Sequence, residues 1–165
     1  MFAPKRLLRV CASTIIAWAA LDANATVTTT TFQVTATVAS NCIASATNLA
    51  FGTYDPLAAS PAASTSQITV RCTLGTAYSI GLDAGIGAGA TVAARLMTHG
   101  AALLTYGLYQ DSGHATVWGN TPGTDTVSGT GTGLPINHSV YGQIPAGQNV
   151  SNGGYTDTIT VSINY

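Results

Sequence analysis

The side chains that could perform acid–base or metal chemistry are few and far apart in this 165-residue sequence. His99, His114 and His138 stand alone in Gly- or Ser-containing stretches, without the spacing of metal ligands. After residue 25 there is no Lys and no Glu, which excludes a Schiff-base lysine and disfavours a hydrolase with paired carboxylates. The remaining acids are five scattered aspartates: Asp55, Asp83, Asp111, Asp125 and Asp157. We predict no catalytic residues, no metal site, no cofactor and no small-molecule substrate.

Two further patterns have a chemical and a structural interpretation. Residues 85–90, Gly-Ile-Gly-Ala-Gly-Ala, fit a relaxed dinucleotide fingerprint, but no helix follows to bind a phosphate, so a flexible β connection is favoured. Tyr106, Tyr109 and Trp118 are most simply aromatic residues of a core or sheet surface. A sugar-binding platform is the alternative for these three side chains.

Cys42 and Cys72 are the two cysteines that follow residue 25. An even cysteine count in an exported chain predicts a disulfide. The bond would close a loop of about 30 residues, worth roughly 3–4 kcal/mol in the chain-entropy description. Two free buried thiols are the alternative.

Export is predicted from residues 1–25, which have the three parts of a signal peptide. Lys5, Arg6 and Arg9 form a positive head, residues 10–21 are largely apolar, and Ala23 and Ala25 are small residues at the cleavage positions. A membrane anchor is the alternative, although the apolar run is short for a span.

Residues 26–165 then form one domain with very little charge. Its only cations are Arg71 and Arg95, against five aspartates, which gives a formal charge near −3. There is no basic patch for nucleic acid and no polybasic segment for anionic lipid. Such low charge favours self-association.

The elements that must position these residues are all β-like. Apolar residues occupy every second position in a segment near the start, which predicts a strand with one apolar face: Phe32, Val34, Ala36 and Val38. The run 155–165 alternates in the same way, with Tyr155, Ile159, Val161, Ile163 and Tyr165 on one face. Asp157 shares that face, either solvated at the rim of the sheet or buried and hydrogen-bonded to a loop.

Short runs between these two ends alternate with turn residues, as in a sandwich or barrel. We predict strands over residues 27–43, 49–54, 68–72, 78–82, 95–98, 103–109, 139–144 and 155–165. Loops are predicted over residues 56–66, 83–90, 119–133 and 145–154, which are rich in Gly, Pro, Ser, Thr or Ala.

These motifs, in this order and spacing, resemble the spore coat protein U domain family, which includes subunits of archaic, Csu-type chaperone–usher pili. The matching residues run through the whole of the predicted domain: Phe32-x-Val34 to Cys42, Phe51-Gly52-x-Tyr54-x-Pro56, Ile68-x-Val70-x-Cys72, Gly75-x-x-Tyr78, Arg95-x-Met97-x-x-Gly100, Leu104-x-Tyr106-x-Leu108-Tyr109-x-Asp111, Trp118-Gly119, Tyr141-Gly142-x-Ile144, and Gly154-Tyr155-x-Asp157-Thr158 to Tyr165.

The resemblance implies an all-β, incomplete immunoglobulin-like sandwich that lacks its final strand. In such subunits a periplasmic chaperone fills the groove beside the C-terminal strand, and at the outer-membrane usher the N-terminal strand of the next subunit replaces it. Residues 26–40 would be the donor segment of this chain, with Phe32, Val34, Ala36 and Val38 entering the groove. Tyr155, Ile159, Val161, Ile163 and Tyr165 would line the acceptor strand.

The function implied is a structural subunit, exported through the periplasm, of a surface fibre for adhesion and biofilm formation. A spore or cell coat protein of the same family is the alternative. Two further alternatives are that residues 32–38 are simply the first strand of a complete sandwich, and that the domain is a carbohydrate-binding module.

Overall fold

The computed structural model describes residues 25–165, which form eight β-strands and no helix. The strands are β1 (Cys42–Ala46), β2 (Ala62–Cys72), β3 (Ala77–Leu82), β4 (Arg95–His99), β5 (Ala102–Tyr109), β6 (Val127–Thr130), β7 (Ile136–Ile144) and β8 (Val161–Asn164). Across residues 25–165 there is accordingly no helix long and apolar enough to cross a bilayer. The predicted signal peptide lies outside the described residues, apart from Ala25.

The described chain divides into two units, residues 25–36 and Thr37–Tyr165. In the first unit the backbone forms no strand, and its side chains are exposed. All eight strands belong to the second unit, in which every strand pair is antiparallel. A five-stranded sheet has the order β1-β2-β7-β5-β4, and a three-stranded sheet has the order β6-β3-β8. This confirms the all-β prediction.

The hydrophobic core is built by strands of both sheets, because their side chains alternate between core and solvent. In β2, Ile68, Val70 and Cys72 are buried while Thr69 and Arg71 on the other face are less buried. The same alternation buries residues of the other core strands and one loop: Tyr78, Ile80, Leu82, Leu104, Tyr106, Leu108, Trp118, Val140 and Ile144.

The predicted disulfide between Cys42 and Cys72 is formed, with an S–S distance of 2.03 Å. The two residues face each other in the antiparallel register of β1 and β2. The bond therefore fixes the beginning of the edge strand β1 to the end of β2.

Several predicted boundaries are wrong because local pattern does not fix which segments find a ladder partner. The first predicted strand, over residues 27–43, begins only at Cys42, since residues 25–40 pair with no strand of the described chain. Residues 49–54 form no strand. Their backbone follows β2 through side-chain bonds, such as that from the Ser64 hydroxyl to the Ala50 carbonyl.

The predicted loops are shorter than expected, for the same reason. β2 begins at Ala62, inside the loop predicted over residues 56–66, because residues 62–66 pair with β7. β6 lies within the predicted loop 119–133, where it pairs with β3. β7 begins at Ile136 rather than at residue 139, and of residues 155–165 only Val161–Asn164 form a strand.

Candidate functional site

An open groove separates two chain segments at the edge where the two sheets approach each other. β1 is an edge strand of the five-stranded sheet and β8 an edge strand of the other, and the two come near one another. Residues 46–51, from the last residue of β1 onward, form one wall, and residues 155–161, up to the first residue of β8, form the other. The floor consists of core side chains from both sheets: Ile68, Leu82, Tyr106, Leu108 and Val140. This part of the groove has a volume of about 570 Å³.

A second cavity, of about 740 Å³, extends the groove. The two cavities share Leu49, Phe51, Met97 and Tyr155 as lining residues, so the apolar surface is continuous. Leu49 and Phe51 pack closely over Gly142, where a Cβ atom would come within 2.8 Å of both side chains. Gly142 is thus required for the first wall to lie against β7.

The second wall, residues 155–164, has one satisfied and one open backbone edge. Thr156 exchanges two backbone hydrogen bonds with Thr98 of β4, at 2.9 and 3.2 Å. Thr160 accepts a bond from the backbone N–H of Asp83, and its own N–H donates to the Asp83 carboxylate. Thr156 and Thr160 therefore bond to the protein's own strands or to Asp83, as Ser162 and Asn164 of β8 pair with β3, whereas the N–H of Thr158 donates to the Asp157 carboxylate. Because backbone groups alternate in direction along a strand, those of Tyr155, Asp157, Ile159, Val161 and Ile163 point to the open side.

Side chains on this wall alternate in step with the backbone. Tyr155, Asp157, Ile159, Val161 and Ile163 are partly buried, whereas Thr156, Thr158, Thr160, Ser162 and Asn164 are exposed. The residues whose backbone groups have no ladder partner within residues 25–165 are thus the same residues whose side chains face the core. An added strand would find hydrogen-bonding partners and an apolar floor on one line of residues.

Among the described residues that line the two cavities, Asp157 is the only charged one, and its carboxylate accepts three hydrogen bonds. Its carboxylate accepts hydrogen bonds from the Tyr106 hydroxyl at 2.7 Å and from the backbone N–H groups of Ile86 at 2.9 Å and Thr158 at 2.8 Å. Of the two interpretations from the sequence, the one with a loop-bonded carboxylate is correct. Burial and this hydrogen bond raise the pKa of Tyr106 above its usual range, so its hydroxyl remains a donor.

A second aspartate, Asp83, holds the same wall from β3. Its carboxylate accepts hydrogen bonds from the backbone N–H groups of Gly85 at 3.0 Å and Thr160 at 2.9 Å. Partial burial acts to raise the pKa of Asp83, but these bonds and the nearby Arg95 guanidinium lower it overall. The glycine-rich loop after β3 is thereby fixed to the second wall by Asp83 and Asp157.

Arg95 is fully buried behind this arrangement. Its guanidinium donates to the backbone carbonyls of Leu82, Asp83, Val92 and Trp118, at 2.7–3.1 Å. Burial lowers the pKa of Arg95, while neighbouring Tyr106 and aspartates counteract the shift, and the group stays charged. The side chain connects β4 to the end of β3 and so supports the wall from below.

Comparison of the sequence with models of protein families identifies the family of this chain. The sequence model of the Spore Coat Protein U domain, SCPU, matches residues 28–162. The chain belongs to this family. Within the family it is 39% identical over 128 residues to Protein U of Myxococcus xanthus, an alignment that covers 71% of each chain.

Among solved structures, the fold of this chain resembles that of a chain in the crystal structure of the CsuC–CsuE chaperone–tip adhesion subunit pre-assembly complex from the archaic chaperone-usher Csu pili of Acinetobacter baumannii. The TM-score is 0.58 and the sequence identity 22%, and the match covers 78% of this chain and 41% of that chain. This SCPU chain therefore spans less than half the length of that relative. The likeness establishes a shared fold of two antiparallel sheets.

The residues predicted from sequence occupy two contrasting environments in this family member. Four of the predicted acceptor residues lie on the groove wall or the core face of β8, while the fifth, Tyr165, is 60% exposed beyond the end of β8. The predicted donor side chains are exposed, with Phe32 at 87%.

The histidines and aromatic residues are dispersed across the described chain. His138 lies in β7 and contacts the Tyr78 hydroxyl at 3.0 Å, so a loop position was wrong for it. His99 ends β4, and His114 lies in the turn after β5. Trp118 and Tyr106 are buried in the core, which removes both from a sugar-binding surface. Sequence reasoning assigned no role at the groove to Arg95, Asp83 or Met97, although Arg95 and Met97 belong to one of the family motifs.

Proposed function

We propose that this protein is an exported structural subunit that polymerises by strand donation. Residues 26–40 form the donor segment, and the groove between residues 46–54 and 150–161 accepts the same segment from a neighbouring subunit. The observation that carries the proposal is the open backbone edge of Ile159 and Val161 above an apolar floor. An unpaired, apolar sheet edge of this kind is an aggregation hazard unless another strand covers it.

The energetics favour a durable joint. Each apolar donor side chain the size of Val or Phe contributes roughly 1.5–3 kcal/mol when fully buried. Each added ladder hydrogen bond contributes a net 0.5–1.5 kcal/mol or so. Residues 26–40 contain no charged side chain, so the apolar stripe can enter an apolar groove without burying an unpaired charged side chain.

The partners follow from the same edge. A periplasmic chaperone covers the groove before assembly, an outer-membrane usher is the site of exchange, and neighbouring subunits form a homo- or heteropolymer. The match to a chain of a chaperone–adhesion subunit complex supports this assignment by its fold. The product is a surface fibre with roles in adhesion and biofilm formation, and the protein acts as a structural component rather than an enzyme.

A cell or spore coat is the second candidate product, favoured by the 39% identity to Protein U of Myxococcus xanthus. Both products use the same joint between subunits, so the joint is the part to test. Fibre and coat are then distinguished by electron microscopy of the cell surface.

The test is Val34→Asp, which introduces a charge into the middle of the donor segment. We expect the yield of SDS-resistant polymer to fall more than about tenfold, since one lost apolar contact of 1.4 kcal/mol already corresponds to a factor of ten. The subunit itself should remain folded, as judged by circular dichroism and by an intact disulfide.

The matched control is Thr35→Asp, which adds the same charge on the other face of the segment. Its polymer yield should stay close to that of the wild type. Normal polymer from Val34→Asp would contradict the donor role, and so would an equal loss from both variants.

A further inference from the structure

The groove has an internal feature that specifies how a strand must be aligned in it. Along the acceptor wall the side chains facing the core are apolar except at Asp157, where the carboxylate is held by Tyr106 and the backbone of Ile86. A bulky apolar side chain placed on this carboxylate would cover a charged group without offering it a hydrogen bond. A small side chain is the best fit at this position.

The chain carries a segment with a matching feature. Its exposed apolar stripe is interrupted by one small residue, Ala36, between Val34 and Val38. Placing Ala36 opposite Asp157 in an antiparallel pair sets Val38 opposite Tyr155, Val34 opposite Ile159 and Phe32 opposite Val161. Phe32 then lies where Val161 pairs with Leu82, over the buried floor of the groove.

We infer that the groove takes residues 32–38 of a second copy of this chain, antiparallel to residues 155–161, with Ala36 opposite Asp157. The inference rests on the proposed function and adds the register in which the donor segment lies against the wall. Asp157 and Ala36 are in this account the positioning residues of the joint.

Backbone direction supports the same alignment. The open edge consists of the odd-numbered residues of the wall, which would form hydrogen-bonded pairs with Phe32, Val34, Ala36 and Val38. Thr35 and Thr158 would then form a non-hydrogen-bonded pair, with their Cα atoms about 4.5 Å apart. That separation lies within the range that a disulfide bridges.

Other alignments have definite costs. A shift of two residues in either direction places Val34 or Val38 on the Asp157 carboxylate. A parallel strand with Ala36 opposite Asp157 moves Phe32 to Gly153, away from Val161 and the floor beneath it. A parallel strand would also depart from the antiparallel pairing found in every ladder of the described chain.

The test uses engineered disulfides between exposed threonines in the full chain, assembled in its native host. The variant Thr35→Cys with Thr158→Cys should give covalent ladders on boiled, non-reducing gels, and reduction should abolish them. Two matched controls pair Thr35→Cys with Thr156→Cys or with Thr160→Cys, since both positions are exposed threonines on the same face. Each control should give less than about a tenth of that cross-linking.

The outcomes separate this inference from the proposed function. Cross-linking through position 160 would show an antiparallel strand shifted by two residues, and cross-linking through 156 would show the opposite shift or the parallel strand. Either result overturns the register while retaining strand donation. SDS-resistant polymer without a cross-link at 158 also overturns it. Absence of SDS-resistant polymer from wild-type chain would instead refute the proposed function.

Discussion

The two ends of this chain have the same sequence pattern in opposite environments. Phe32, Val34 and Val38 alternate with polar residues and are more than four-fifths exposed. Ile159 and Val161 alternate with threonine and serine in the same way and are partly buried. The backbone of Thr160 between them is bonded to Asp83. Period-two alternation therefore specifies a strand with an apolar face but does not specify which sheet that strand completes.

What distinguishes the C-terminal end is its support from other elements. Asp83 bonds to Thr160, Asp157 bonds to the glycine-rich loop, and the backbone of Thr156 bonds to β4. Arg95 supports this arrangement indirectly, through the carbonyl of Asp83. Residues 25–36 have no ladder partner within the described chain. The C-terminal segment is thus held by the domain and the N-terminal segment is not, which is the asymmetry that the proposed polymer joint requires.

The largest loss of stability should come from removing the side chain that supports the wall formed by residues 155–161. Arg95→Met leaves the four carbonyls of Leu82, Asp83, Val92 and Trp118 without their donor. Each buried unsatisfied group costs about 1–3 kcal/mol, so we expect the free energy of unfolding to fall by at least about 3 kcal/mol. Denaturant titration of the purified subunit measures the change.

Arg71→Met is the matched control for that substitution. Arg71 is exposed and its guanidinium donates one bond, to the Gly133 carbonyl, so its loss should cost less than about 1 kcal/mol. Similar losses from the two variants would show that Arg95 has no special part in supporting the wall.

A smaller effect should appear when the pH is lowered, because the Asp83 carboxylate that holds Thr160 becomes protonated. Since the pKa of Asp83 is lowered in the folded protein, its carboxylate stabilises the fold above the unfolded-state pKa of about 3.9. This contribution is lost as pH falls through the folded-state value. We expect exchange of the Thr160 amide hydrogen to accelerate as the pH is lowered from 5 towards about 3, beyond the change in intrinsic exchange rate.

Asp83→Asn should remove that extra acceleration. Asp111→Asn is the comparison, because the pKa of Asp111 is also lowered, by backbone bonds from Thr116 and Ala115, in a turn that does not contact the wall. If Asp111→Asn changes Thr160 exchange as much as Asp83→Asn does, Asp83 is not the residue that holds this wall.

Much of the fold was predictable because its signals are local. The hairpin of β4 and β5 and the core faces of β2 and β3 follow from alternation bounded by turn residues, and the disulfide follows from cysteine count. Pairing order did not follow, because a ladder joins segments far apart in sequence. Residues 155–160 illustrate this. They read as one strand with 161–165, yet Thr156 bonds to β4 whereas β8 pairs with β3.

The site was predictable in its apolar residues and not in its polar ones. Alternation identified Ile159 and Val161, because apolar side chains recur at every second position along this segment. Asp157 left two interpretations open, since only the approach of Tyr106 and Ile86 decides between solvent and hydrogen bonds. Arg95 gave no signal of its role, because its four acceptors are backbone carbonyls, which exist at every residue.

That a strand from another subunit covers the edge of Ile159 and Val161 is tested most directly by amide hydrogen exchange. The exchange rates are compared between the polymer and the Val34→Asp monomer. In the monomer the amides of Ile159 and Val161 should exchange rapidly, while those of Thr160 and Ser162 on the bonded edge are protected. In the polymer the first pair should become protected as well, by about a hundredfold or more, which corresponds to some 2.7 kcal/mol. Protection of Ile159 and Val161 already present in the monomer would mean that no strand is missing, and would contradict the account.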